Sequence, residues 1–509
     1  NTTGTGNTAY GSYALDANTT ANYNTALGYQ SLTVNTTGTG NAAVGFNSLS
    51  ANTTASNNTA VGYESLTSNT TGTNNTAIGF QNLYANTTGS QNTAVGRLAL
   101  DANTTASGNT ALGNASLTAN TTGVNNVGTG AYTLQDNTTG SYNTASGNNA
   151  LKANTTASYN SAFGNNALIE NTTGASNTAI GHSALQDNTT GSQNCAFGSE
   201  ALDALTTNSQ CNAFGTMALT SYTSASGKCN AFGQQALQDC TTGYSNSAFG
   251  HDVLRELIDA NNNTAMGHGA AQNSNADNNT AFGSQALTLA TTGANNTAVG
   301  AFALDHATTS KWNTAVGYGA LTAATTGDGS NVAVGFNAGD FITTGTGNVI
   351  IGKNSDPNNS AATNQYVFGT GLVGKGDNTA FIGGSSGAYQ EDNNSSWTTT
   401  SDQRIKKNIV NNNTGLAIID QVQVKNYEYK TEDEIKADSP ELTDVAKSAV
   451  VNKTGTQLGV IAQELETVLG SAVTTNSDGI KTLQTDELFW HMLNAIKELS
   501  AKVTALELG

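Results

Sequence analysis

Charge is scarce in this chain. Only 11% of its 509 residues are Asp, Glu, Lys or Arg, and aromatic residues make up 6%. Carboxylates this sparse build no acidic cleft of the kind a glycan depolymerase would need. The 18 basic residues face 36 acidic ones and form no stripe, which argues against nucleic-acid binding. No apolar run approaches the ~20 residues that cross a bilayer. Cysteine occurs four times, at Cys195, Cys211, Cys229 and Cys240, and the intervals of 16, 18 and 11 match no zinc pattern. The five histidines are scattered, and no Gly-rich phosphate loop is present. No metal and no cofactor is therefore expected. Proline occurs twice.

What is abundant is Asn, Thr, Ala, Ser and 56 Gly. Low hydrophobicity of this kind commonly means disorder. Disorder, however, keeps no register, and this chain does. The phrase Asn-Thr-Ala-apolar-Gly appears at Asn24–Gly28, Asn58–Gly62 and Asn75–Gly79. Its Gly can be followed from Gly11 to Gly383, and the interval is 17 residues throughout from Gly11 to Gly215. A short fixed period is the signature of a solenoid.

Two apolar positions recur in each repeat. One precedes the Gly (Leu27, Val44, Val61, Ile78, later Phe197 and Phe214). The other is the Leu four residues after it, as at Leu15, Leu32 and Leu49. Neither segment is long enough for a stable helix. Two short strands per turn, stacked on identical strands above and below, would satisfy the backbone. About 23 Gly anchors at ~4.8 Å per turn predict a rod roughly 110 Å long. Ala26 and Leu27 point to opposite faces of their strand. Both columns are apolar, so both faces should be covered, one by the roll itself and one by partner chains in a symmetric oligomer. Cys211 and Cys229 should stack on adjacent turns as small inward-facing residues. Asn-Thr-Thr recurs every 17 residues from Asn1 to Asn188 and reads as turn chemistry. It also spells the N-glycosylation sequon.

The Asn-x-Ala-apolar-Gly phrase resembles the β-roll head repeats of trimeric autotransporter adhesins and the repeats of phage tail fibres. The resemblance covers about three quarters of the chain and implies a trimeric, mostly β rod over residues 1–387. Residues 388–400 read as a linker. The chain starts inside a repeat at Asn1, so a further N-terminal attachment region is expected.

At Ser401 the composition changes. Residues 1–400 carry 7 basic and 20 acidic residues, and residues 401–509 carry 11 and 16. Three motifs follow in order. They are Ser401-Asp402-Gln403-Arg404-Ile405-Lys406, Gly459-Val460-Ile461-Ala462-Gln463-Glu464, and Ala495-Ile496-Lys497-Glu498-Leu499. The closing segment 486–509 reads as a helix. Phe489, Met492, Ile496, Leu499, Val503 and Leu506 fall at alternating three- and four-residue steps, the heptad seam of a coiled coil. Packing of that helix on its own domain is the alternative.

These motifs closely resemble the intramolecular chaperone auto-processing domain of phage tail spikes and fibres, the peptidase S74 family. The chain departs from the family at Leu483-Gln484-Thr485-Asp486, where a Tyr is usual. The resemblance implies a small α+β domain at 401–509 that trimerises a β-rich fibre and then cuts itself off. Ser401 would be the nucleophile, Lys406 its base, and Thr400–Ser401 the scissile bond. Without the resemblance, a surface Ser and a surface Lys are the plain reading. The partners implied are two further copies of the chain, an upstream fibre or baseplate component, and a host-surface receptor such as a glycan. Nucleic acid and membrane insertion are not implied. The location implied is an extracellular virion. A bacterial surface adhesin and an ice-binding Thr solenoid are the rival readings.

Overall fold

The computed structural model describes residues 2–224, 227–383, 388–390, 403–439, 455–475 and 481–508. The chain divides into two compact units, Asn1–Thr399 and Thr400–Gly509.

The first unit is a solenoid. Its strands run from β1 (Thr8–Tyr10) and β2 (Thr25–Leu27) through β23 (Ala380–Ile382), each three residues long. Neighbours pair in parallel and in register, so that Ala26 lies between Ala9 and Ala43, and Leu27 between Tyr10 and Val44. Thr25 N–H donates to the Asn41 carbonyl at 2.8 Å, and Gly45 N–H to the Leu27 carbonyl at 2.8 Å. A last strand, β24 (Ala388–Gln390), pairs antiparallel with β23. It lies inside the segment expected as linker.

The anchoring Gly is required by the neighbouring turn. Gly28 has φ +139°, and a Cβ there would sit 2.4 Å from the carbonyl oxygen of Gly45. No L side chain fits that approach, so one missing methyl sets the spacing of the stack.

Each turn contributes one strand, not the two expected. The Leu segment folds as a chain of turns in which Gln30 (φ +53°) and Leu32 (φ +51°) are left-handed. That conformation costs an L residue about 1–2 kcal/mol. Leu32 is fully buried, and burying a Leu side chain contributes about 1.5–3 kcal/mol. The backbone is also satisfied, since Leu32 N–H donates to the Ser48 carbonyl at 3.1 Å and Asn47 N–H to Tyr29 at 3.0 Å. Burial and turn-to-turn bonding together outweigh the strain.

The core is partly polar. Ala26 and Leu32 form its apolar columns, and two columns of fully buried asparagine run beside them. In one, Asn41 N–H donates to Asn24 Oδ1 at 2.9 Å and Asn41 Nδ2 to the Ala55 carbonyl at 2.9 Å. In the other, Asn52 Nδ2 donates to Asn35 Oδ1 at 2.9 Å and to Ala55 O at 3.0 Å. Buried amides persist only when bonded in this way. The second column consists of the sequon asparagines. In the folded rod Asn35 and Asn52 lie inside with their amides engaged, so neither can accept a glycan there.

The cysteines take over these columns. Cys211 and Cys229 stand in the Asn24 column and Cys240 in the Asn35 column, all fully buried and with no disulfide among them. Inward stacking on adjacent turns is as the spacing predicted.

One partly buried carboxylate weakens the rod as pH rises toward neutrality. Asp203 Oδ1 is buried without a hydrogen-bond partner. Burial first, then the charges of Asp187 and Glu200, push its carboxyl up to about 6. The unfolded chain releases that proton nearer 3.9. The folded state therefore holds more protons between about pH 4 and 6, and stability rises as pH falls through that window. Asp203→Asn is expected to raise the thermal midpoint at about pH 7 and to leave it unchanged below about pH 3, where the carboxyl is protonated in both states. Equal midpoints for the two proteins at neutral pH would refute this.

The second unit is a small α+β assembly. It holds α1 (Leu416–Ile419), β25 (Lys425–Tyr427), α2 (Glu432–Asp438), β26 (Gln457–Gly459), α3 (Ala462–Val468), β27 (Val473–Thr475), β28 (Lys481–Leu483) and α4 (Thr485–Leu508). β25 pairs antiparallel with β26, and β27 with β28. Leu465, Leu469 and Ala472 form the buried centre, packed by Ile418, Val422 and Leu488. Helix α2 starts with a capping box: Glu434 N–H donates to the Thr431 hydroxyl while the Glu434 carboxylate accepts from Thr431 N–H.

Candidate functional site

Two features could carry function: the outer stripe of the solenoid, and the C-terminal unit with its uncovered helix face.

The stripe follows from strand alternation. Ala26 points in, so Leu27 points out. Leu27 is 44% exposed and Ile78 41%, and the column stays apolar along nearly the whole rod. It includes the stacked rings of Phe197, Phe214, Phe232 and Phe249, 4.8–4.9 Å apart. The Leu27 column is thus an apolar face that the single chain leaves partly exposed. A neighbouring column carries a second ladder, Tyr29, Phe46, Tyr63 and Phe80, stacked at 5.2–5.4 Å. Its ring faces cover each other, and the guanidinium of Arg97 closes one end 5.9 Å from Phe80. A sugar ring would find only ring edges there. The Thr column expected to matter for ice is also committed: Thr36 Oγ1 donates to the Thr53 carbonyl at 3.1 Å and Thr70 Oγ1 to Thr87 at 3.0 Å.

In the C-terminal unit, Ser401 and the Thr400–Ser401 bond lie outside the described residues. Lys406 is described. It closes the short helical turn Gln403–Ile405, with its N–H on the Gln403 carbonyl at 3.2 Å, and its side chain is solvent-exposed. The structure therefore gives no distance between Ser401 and Lys406. The Gly459–Glu464 motif ends β26 and starts α3. Glu464 pairs with Lys425 on β25, which clamps the strand to the helix. Lys481 pairs with Glu466 at 2.7 Å.

Helix α4 is two-faced. One face is held by its own domain. His491 Nδ1 lies 2.7 Å from the Thr414 carbonyl, and Asn494 Nδ2 donates to Asn412 O at 2.8 Å. Gly415 sits so close that a Cβ would be 2.2 Å from Ala495 N. The other face is the heptad seam. Phe489 (56%), Ile496 (61%) and Leu506 (82%) are all exposed. Packing on the domain and the heptad seam thus use different sides of one helix.

Residues 401–474 match the family model of the S74 peptidases, described as the chaperone of endosialidase. Residues 401–474 are thus a chaperone of endosialidase domain by family match. The match spans the opening motif, the clamp of β25 on α3 and the small core, and it ends before α4. No curated protein and no solved structure matches the chain. A solenoid shaft followed by an endosialidase-type chaperone has the organisation of a tail-fibre-like protein. No helix among the described residues is long and apolar enough to cross a membrane.

The spacing predicts the apolar column before the Gly and the apolar seam of α4. It does not predict the asparagine columns, the left-handed Leu turns or the aromatic ladder beside the strands. A signal for each was present, because every one keeps the 17-residue register.

Proposed function

We propose that the chain is the shaft of a homotrimeric phage tail fibre that contributes to host attachment, and that its C-terminal domain registers the three chains and then cuts itself away at Thr400–Ser401. The observation that carries this reading is a pair of uncovered apolar surfaces, one on each unit. The Leu27 stripe runs the length of the rod, and the seam Phe489–Leu506 runs along α4. Exposed apolar area on this scale marks an interaction surface. A heptad seam is what a helix presents to copies of itself. Burial returns ~25 cal/mol per Å², and in a rod the return accumulates with every turn that comes into register.

Registration is the hard step. The turns are nearly identical, so three rods could pair one or more repeats out of step with almost equal energy. A unique trimeric clamp at one end removes that degeneracy, which is a physical reason for a chaperone after a repetitive shaft. Ser401 would supply the nucleophile and Lys406 the base.

Deleting residues 401–509 tests the chaperone role. The full chain is expected to sediment as a soluble trimer, and the truncated chain to be recovered mostly as aggregate or as mis-registered species of mixed mass. Soluble trimers of uniform mass from the truncated chain would overturn it. The receptor-binding part of the reading is supported by the shaft architecture alone, and a bacterial surface adhesin built on the same shaft stays the alternative.

A further inference from the structure

We propose that His251, Asp252 and His268 form a binding site for a divalent first-row transition cation, zinc being the best match. The histidines read as scattered along the chain, but two of them are 17 residues apart, so the solenoid stacks them on consecutive turns. Their imidazoles are parallel within 4° with centroids 5.4 Å apart. Asp252 stands beside them, with Oδ2 2.9 Å from His251 Nδ1. One nitrogen from each ring and one carboxylate oxygen all lie within 4.8 Å of one another. The arrangement is the only His/Asp/Glu/Cys group of this kind among the described residues.

Three further observations favour a ligand there. Asp252 Oδ1 is buried without a hydrogen-bond partner, and its ion pair with Arg255 Nη1 is long, at 3.9 Å. A buried carboxylate oxygen without a hydrogen bond is costly. One turn further on, the position equivalent to Asp252 is Gly269, whose N–H bonds to the His251 carbonyl at 3.0 Å. Gly269 therefore places no side chain of its own beside the carboxylate. Both imidazoles are exposed, which leaves an approach for an ion and a coordinated water.

The ligand chemistry selects the metal class. Two imidazoles and one carboxylate suit zinc, cobalt, nickel and copper better than calcium or magnesium, which prefer all-oxygen shells. Metal–ligand distances of about 2.0–2.2 Å bring donor atoms closer together than they stand in the free side chains. Turning the two rings toward each other supplies that motion, because both are surface side chains. Three protein ligands leave a fourth position for water. The effect on the rod is a staple between adjacent turns, at the start of the 16-residue interval from Gly267 to Gly283.

Cobalt titration of the full chain, stripped of metal, tests the site. A visible absorption band of the intensity shown by four-coordinate cobalt is expected, saturating at one ion per chain and bleached by zinc. His268→Ala and Asp252→Asn should each weaken binding by at least about 10-fold, the lower end of what even an outer-sphere partner is worth. Asn is well tolerated at the left-handed Asp252 position (φ +57°), so that variant keeps the backbone. His182→Ala, on a turn without a second histidine next to it, should bind as the wild type does. A wild-type titration that superimposes on that of the His251→Ala/His268→Ala double variant would overturn the proposal.

Discussion

Replacing Val61, Ile78 and Val95 by Asp together is expected to abolish the trimer and leave each chain's solenoid folded. The three residues stand on successive turns in the outward column. Val61 and Val95 are half-buried and Ile78 is exposed in the single chain. A carboxylate there meets water as long as the chain is alone, so it costs the solenoid little. Ala60, Ala77 and Ala94, the inward neighbours, are untouched and keep the core closed. In a trimer packed along this stripe the same carboxylates lose their water, and three chains bring nine of them together. An uncompensated buried charge costs several kcal/mol, so the sum exceeds any plausible assembly energy of three turns. Light scattering should show a monomer or aggregates of mixed size, while the far-UV spectrum of the rod remains β. Normal trimers from the triple variant would place the interface elsewhere. A variant that loses its β spectrum would mean that the column supports the single solenoid after all.

The period of the rod could be read from the residues because each turn repeats one steric demand. Gly28 and its equivalents meet the backbone of the next turn, and nothing larger fits. Leu32 and its equivalents fill the interior. The side chain of Asn carries no such unambiguous message. It suits a turn as well as a buried ladder, and the two uses differ only in whether an identical Asn waits one turn away. Asn35 was therefore read as turn chemistry, although it sits inside. The left-handed φ of Leu32 was unreadable for a different reason. Leu disfavours that conformation, and only the combination of burial and bonding to Ser48 overrides the preference. For the same reason the Leu segment resembles a second strand in sequence and folds as turns.

The site residues divide in a similar way. The proposed Ser401–Lys406 pair rests on the resemblance carried by motif order, and Ser401 lies outside the described residues. The heptad seam of α4 follows from spacing, and its exposure agrees with a face meant for other chains. The His251–His268 pair needs the period to be applied to residues that are not themselves part of the repeat. Separation along the chain hides it, and adjacency across turns creates it.

Self-cleavage gives the sharpest expected result. The wild-type chain should separate into residues 1–400 and 401–509, and Ser401→Ala should remain a single 51.8 kDa chain. The Ser401 hydroxyl would attack the Thr400 carbonyl, transferring the acyl group from nitrogen to oxygen and freeing the Ser401 amine. Water would then hydrolyse the ester, returning the hydroxyl and leaving a Thr400 carboxylate. Lys406 would take the hydroxyl proton and pass it to the departing amine. An ammonium in water is a poor base, and desolvation is what makes a Lys neutral enough to serve. Lys406 is exposed in the single chain. Cover for it would have to come from neighbouring chains, which orders the events: assembly first, cutting second. Lys406→Ala should slow release of the C-terminal fragment by about 10²–10⁴-fold, the range of a positioned general base. Mass spectrometry against time, run beside sedimentation, reads both steps. Trimers should precede fragments in the wild type, Ser401→Ala should give uncut trimers, and the Val61/Ile78/Val95 variant should give neither trimers nor fragments. Fragments that form at the same rate from a chain unable to assemble would dismiss the coupling. Wild-type protein that stays whole, matching Ser401→Ala in every fraction, would leave the domain a chaperone without the cut.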